Sequence, residues 1–160
     1  MVSYPLSTGR IKTLSGNEKM PKILGYGGLI PFITFSIGSW LPSPYHSYSV
    51  TMIITYAAII LSFMGAIHWG VAMAKKEKSH NRYYLTSIMP ALAAWLSLLA
   101  PEIFSLFILV TGFTLLISYD IAVEKPQGFP AWYIPMRIRL TIIVFLCLVS
   151  ALFSLIIPLL

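Results

Sequence analysis

The chain has 160 residues, 58% of them hydrophobic and 10% charged, with a mean hydropathy of +0.82. A soluble domain carries about 25% charged residues, so this composition excludes a water-soluble globule, a disordered chain and a disulfide scaffold. The formal charge is +6, and the lone cysteine, Cys147, rules out an intramolecular disulfide or a cysteine-built metal cluster within one chain.

Residues 1–21 form a polar tail without the apolar core of a secretory signal. It reads as a plain arm, although its Ser/Thr content and scarcity of acids are also features of a transit peptide. From residue 22 to 160 the sequence predicts a transmembrane domain. Crossing a bilayer takes about 20 apolar residues. Five stretches qualify: 23–41, 48–74, which is long enough to span with tilt, 84–100, 103–121 and 140–160. Proline marks most of the breaks, at Pro42-Ser43-Pro44, Pro101, Pro126, Pro130 and Pro135. The apolar runs are continuous rather than alternating, which excludes a β-barrel. The predicted architecture is all-α, a compact five-helix transmembrane bundle. Pro31 and Pro90 predict kinks within their helices.

The basic residues set an orientation. Arg10, Lys12, Lys19 and Lys22 precede the first stretch; Lys75, Lys76, Lys78 and Arg82 follow the second; Lys125, Arg137 and Arg139 follow the fourth. With five crossings, all 11 Lys and Arg share one side. Cationic loops stay on the cytoplasmic or matrix side. The N-terminus is therefore expected inside and the C-terminus outside. Residues 128–136 read as an inner loop lying on the headgroup layer. Lys75, Lys76 and Arg82 are candidates for lipid headgroups, because each nearby cation attracts anionic lipid by about 1 kcal/mol. Lipid is a better partner for this surface loop than nucleic acid.

Helices approach in lipid through small residues. Candidate faces are Gly25, Gly27 and Gly28; Ala58, Ser62, Gly65 and Ala72, with Trp69 in the same stripe; Ser87, Ala91 and Ala94; Thr111, Thr114 and Ser118; and Cys147, Ser150, Ala151 and Ser154.

His68 is the one imidazole well inside a stretch, about 10 Å below the basic boundary at Lys75. An ionisable group at that depth is a functional candidate. The structural alternative is a neutral ring hydrogen-bonded to a Ser, Thr or carbonyl across the bundle. Asp120 is expected at the inner end of the fourth stretch, paired with Arg137 or Arg139 at the start of the fifth. The two arginines are two positions apart, so one can pair while the other faces lipid phosphate. The candidate polar cluster comprises His68, Trp69, Gly65 and Tyr119, together with Asp120, Trp132, Arg137 and Arg139. No second histidine lies at matching depth for a bis-His haem, and HExxH, P-loop and GxSxG motifs are absent.

Several of these motifs resemble the domain of unknown function 3429 family (transmembrane protein 69-like). They are Leu24-Gly25-Tyr26-Gly27-Gly28-Leu29-Ile30-Pro31-Phe32, Gly65-Ala66-Ile67-His68-Trp69-Gly70 and Pro90-Ala91-Leu92-Ala93-Ala94-Trp95, then Tyr119-Asp120 and Ala131-Trp132-Tyr133 with Arg137-Ile138-Arg139. The resemblance covers residues 22–150 and implies a bacterial or mitochondrial inner membrane. It marks His68, Asp120, Arg137 and Arg139 as signature positions and implies no reaction. The expectation is a non-enzymatic accessory or scaffold protein that binds lipid or a larger membrane complex, a respiratory complex being one candidate. It takes no metal or cofactor beyond a bound phospholipid. The alternative is a quinone, phospholipid or other small-molecule pocket around His68, in a binder, transporter or membrane enzyme.

Overall fold

A computed structural model describes residues 19–74, 81–127 and 132–157. All regular structure among them is helical: α1 (Lys19–Gly27), α2 (Leu29–Gly38), α3 (Tyr45–Ala74), α4 (Asn81–Leu99), α5 (Glu102–Gln127) and α6 (Tyr133–Ile156). Helices α1 and α2 meet at Gly28, whose N–H still donates to the Leu24 carbonyl (3.0 Å), so the two make one rod with a local break. Pro31, the third residue of α2, has no N–H to offer the Gly27 carbonyl, which accounts for a break at this point. Tyr56 of α3 donates to the Gly28 carbonyl (3.0 Å) and fixes α3 against the break.

The rods follow one another in a ring, with α2 on α3, α3 on α4, α4 on α5, α5 on α6, and α6 back on α2. Helix α3 also packs directly on α5. The core therefore sits around α3: Ile53, Ala57 and Leu61 meet Leu106, Leu109 and Phe113 of α5, with Phe32 and Leu148 closing the sides. Phe32 makes edge contacts with Tyr56 and Phe113, at centroid separations of 5.0 and 6.4 Å. Large apolar side chains also cover the exterior, Phe63, Trp95, Phe104 and Leu146 among them, as a lipid-facing bundle requires.

Lys19–Gly38, Tyr45–Gly70, Glu102–Ala122 and Tyr133–Ile156 are each long and apolar enough to cross a membrane. The apolar part of α4, Tyr84–Leu99, is shorter.

The helix bounds depart from the expected ones at several places: α1 starts at Lys19, inside the expected polar tail, α3 at Tyr45 and α4 at Asn81. Residues 133–136 belong to α6 rather than to a loop on the headgroup layer. Pro135 is only the third residue of α6, where a backbone N–H has no intrahelical acceptor, so it does no harm there. Residues 128–131 lie outside the described segments. Helix α5 continues to Gln127, which places Asp120 inside the helix and not at its end. Helix α4 runs unbroken past Pro90.

The small-residue faces are mostly buried, with two exceptions. Gly27 is exposed with nothing near it. Thr111, Thr114 and Ser118 also face outward. The Thr114 and Ser118 hydroxyls donate to the carbonyls of Val110 and Thr114, each at 2.8 Å. A hydroxyl bonded back into its own helix needs no neighbour, so α5 packs instead through Ser105, Leu106, Leu109, Phe113 and Leu116.

Candidate functional site

Three helices each bring one charged or titratable side chain to a single buried point. His68 comes from the last third of α3, Asp120 from α5 and Arg137 from the second turn of α6. His68 Nε2 lies 2.7 Å from Asp120 Oδ1, and Arg137 Nη2 lies 2.9 Å from Asp120 Oδ2. His68 and Asp120 are fully buried and Arg137 is 4% exposed. The carboxylate thus offers one oxygen to the imidazole and the other to the guanidinium. Arginine keeps its charge even when buried, so the pair with Asp120 neutralises a cation that the bundle could not otherwise hold.

Two tyrosines flank the triad. Arg137 Nη1 donates to Tyr133 Oη (2.9 Å), one helical turn earlier on α6. The Arg137 guanidinium carbon lies 5.7 Å from the centroid of the same ring. Tyr119 packs edge-on against His68 with centroids 5.2 Å apart, and its hydroxyl accepts from Thr86 of α4 (3.3 Å). All four rods from α3 to α6 therefore reach this polar cluster.

The remaining candidate residues separate into different roles. Gly65 lies where α3 and α4 approach most closely: an added Cβ would fall 2.7 Å from the Ser87 carbonyl and 3.0 Å from the Pro90 ring. Trp69 faces outward and packs edge-on against Tyr84 (4.9 Å), away from the triad. Arg139 is exposed and makes no ion pair among the described residues. Lys75 and Lys76 lie outside the described residues, and Arg82 is placed only as the second residue of α4.

Sequence reasoning paired Asp120 with an arginine but gave His68 a hydroxyl or carbonyl partner. It also left out Tyr133 and Thr86. One signal for the His68–Asp120 contact was present. His68 stands seven residues before Lys75 and Asp120 five before Lys125, so both lie at similar depth beneath the same basic boundary. Tyr133 precedes Arg137 by four, a helix-neighbour spacing that was hidden while this stretch was read as a loop.

A cleft of about 370 Å³ lies beside the triad, between the α1–α2 rod, α3 and α6, with Phe113 of α5 at its back. Arg137, Tyr133 and Trp132 line it, whereas His68 and Asp120 do not. Apart from Thr141, the rest of its wall is apolar, including Leu24, Phe32 and Met64. Among the described residues, no three His, Cys, Asp or Glu side chains are grouped so as to hold a metal ion. A His–Asp pair could orient an imidazole as a general base, but such a base must reach its substrate. This ring is sealed behind protein.

The family described as protein of unknown function (DUF3429) matches residues 17–153. Among curated relatives, transmembrane protein 69 of Xenopus tropicalis is 29% identical over 148 residues, covering 90% of this chain and 58% of the relative. Transmembrane protein 69 of Mus musculus is 25% identical over 154 residues, covering 92% of this chain and 61% of the relative. The chain thus spans about three-fifths of the length of these relatives. No solved structure matches. The apolar helices and the transmembrane relatives together make this a multi-pass integral membrane protein. With the match running through nearly the whole helical bundle, the chain belongs to the DUF3429 family.

Proposed function

We propose that this protein is a non-enzymatic, five-span accessory or scaffold protein of a bacterial or mitochondrial inner membrane. In this reading its Lys/Arg end faces the cytoplasm or matrix, and it holds lipid or a larger membrane complex. The apolar part of α4, Tyr84–Leu99, is about 24 Å long against a hydrocarbon core of roughly 30 Å, so a fifth crossing is favoured by the charge partition more than by length. Five crossings put every Lys and Arg on one side.

The observation that carries the scaffold reading is the closed triad. Asp120 is engaged at both oxygens, His68 is fully buried, and the cleft does not reach either. Such a cluster ties α3, α5 and α6 together and leaves no opening for a reactant. The second reading, a small-molecule or lipid pocket, is favoured by the cleft, but its polar contact is then Arg137 and not His68.

Native mass spectrometry of the gently extracted protein tests this reading. Stoichiometric membrane companions or retained lipid are expected. A bare monomer that comes off without either overturns it. Cysteine-accessibility labelling of the two termini should place them in opposite compartments, and labelling in the same compartment overturns the five-span orientation.

A further inference from the structure

The cleft beside Arg137 has the shape of one lipid tail. Along the α1–α2 rod its lining runs from Pro21 to Phe32, a helical rise of about 16 Å, and along α6 from Trp132 to Val144, about 18 Å. One leaflet of hydrocarbon is about 15 Å deep. The cleft therefore runs from the basic boundary to near the bilayer midplane, within a single leaflet. Leu24 and Phe63, both on its wall, are also largely exposed, so it opens sideways onto the lipid-facing surface.

Its walls dictate what fills it. Water is a poor occupant, because an apolar cavity offers too few hydrogen-bond partners. An empty void forfeits the dispersion contacts of every atom lining it. At this depth in a bilayer, the material at hand is acyl chain. Apart from Thr141, one turn deeper on α6, the polar residues gather at one end. Trp132, Tyr133 and Arg137 stand at the mouth, and Lys22 follows Pro21 directly in α1, with Lys19 two residues before it. Arg137 pairs with Asp120 through Nη2 and donates to Tyr133 through Nη1. Asp120 balances the charge of Arg137, and the cations of Lys19 and Lys22, each with a further contact in the fold, make the potential at this end positive.

From these observations we infer that the cleft holds one acyl chain of an anionic phospholipid from the leaflet on the basic side, with its phosphate at the mouth formed by α1 and the start of α6. The inference deepens the lipid-holding reading above and rests on the chain spanning the bilayer.

Tryptophan quenching reads both separately. Two variants are compared, one keeping Trp132 alone and one keeping Trp95 alone, the other tryptophans being changed to Phe. Trp132 lines the cleft, and Trp95 faces outward from α4. Each variant is reconstituted in phosphatidylcholine vesicles with increasing phosphatidylglycerol brominated in mid-chain. Trp132 should quench saturably, half-maximally at about one-tenth of the lipid fraction that Trp95 needs. Identical curves for the two overturn the slot. Equal saturation by brominated phosphatidylcholine overturns the anionic assignment. An unquenched Trp95 shows instead that the chain is not inserted, so the membrane reading fails. The unaltered chain gives an independent measure that does not depend on the variants folding. After detergent washing of protein from mixed vesicles, extraction should return phosphatidylglycerol in amounts equimolar with protein, and an extract without it overturns the inference.

Discussion

At its basic end the bundle is joined by charge, and at its other end by hydroxyls. Near the basic end, α3, α5 and α6 converge on Asp120 through an imidazole and a guanidinium. At the far end, Ser39, Ser97 and Ser154 are buried too, but each donates to a carbonyl three residues back in its own chain. Bonds that cross between rods there include Ser105 to the Ser97 carbonyl (2.6 Å) and Trp40 Nε1 to Ser150 Oγ (3.0 Å). A hydroxyl can satisfy itself within its helix, so it tolerates many neighbours. A buried carboxylate cannot, and must find its cations at fixed places on other helices. The basic end therefore sets the register of α3, α5 and α6, while the far end follows it.

The largest test of this contrast removes the shared carboxylate. Asp120→Ala leaves Arg137 charged and without its counter-ion, and should destabilise the protein by about 3–5 kcal/mol in reversible unfolding from micelles. The triple change His68→Phe, Asp120→Leu, Arg137→Met removes all three polar groups together and should recover most of that loss, since whole buried ion clusters are often replaceable by apolar side chains. A triple variant as weak as Asp120→Ala would show that the triad adds net stability as well as register.

The next effect separates close backbone approach from soft packing. Gly65→Ala drives a methyl to within 2.7 Å of the Ser87 carbonyl, where α3 and α4 cannot part without repacking, and should lose about 1–3 kcal/mol. Gly112→Ala meets a similar distance, 2.7 Å, but against the Leu61 Cδ2 methyl, the far end of a side chain that can rotate away. It should lose less than Gly65→Ala in the same thermal-unfolding assay. Equal losses would mean that α5 and α3 are held as rigidly as α3 and α4.

Much of this organisation was legible in the residues. Continuous apolar runs gave the helices, and proline gave the breaks after α2 and before α5, but Pro126 and Pro135, also expected in a break, lie inside α5 and α6. That Asp120 would meet an arginine of α6 was legible because opposite charges on neighbouring helices must meet in lipid, but the choice of Arg137 over Arg139 was not. The His68–Asp120 contact was not drawn from sequence because it depends on which faces α3 and α5 turn to each other, and hydropathy does not report rotation about a helix axis. The same ignorance of rotation put Thr111, Thr114 and Ser118 on a packing face, although they look outward. Pro135 misled for a different reason: a proline-rich stretch reads as a loop unless the helix start is known, and here the proline falls within the first turn.

The smallest expected effect lies at the far end, where Trp40 donates to Ser150 across the α2–α6 boundary. Trp40 is 36% exposed, so its indole N–H regains polar company when the bond is broken. The net worth of a neutral bond is about 0.5–1.5 kcal/mol, and partial exposure places this one near the low end. Ser150→Ala removes the acceptor with little change in volume and isolates the bond more cleanly than Trp40→Phe, which also loses ring area. A double-mutant cycle of the two, read as unfolding free energies, should return a coupling well below 1 kcal/mol. The matching cycle of Asp120→Ala with Arg137→Met should return several times more. A far-end coupling as large as the basic-end one would remove the asymmetry, because hydroxyl and indole would then fix register as firmly as charge does.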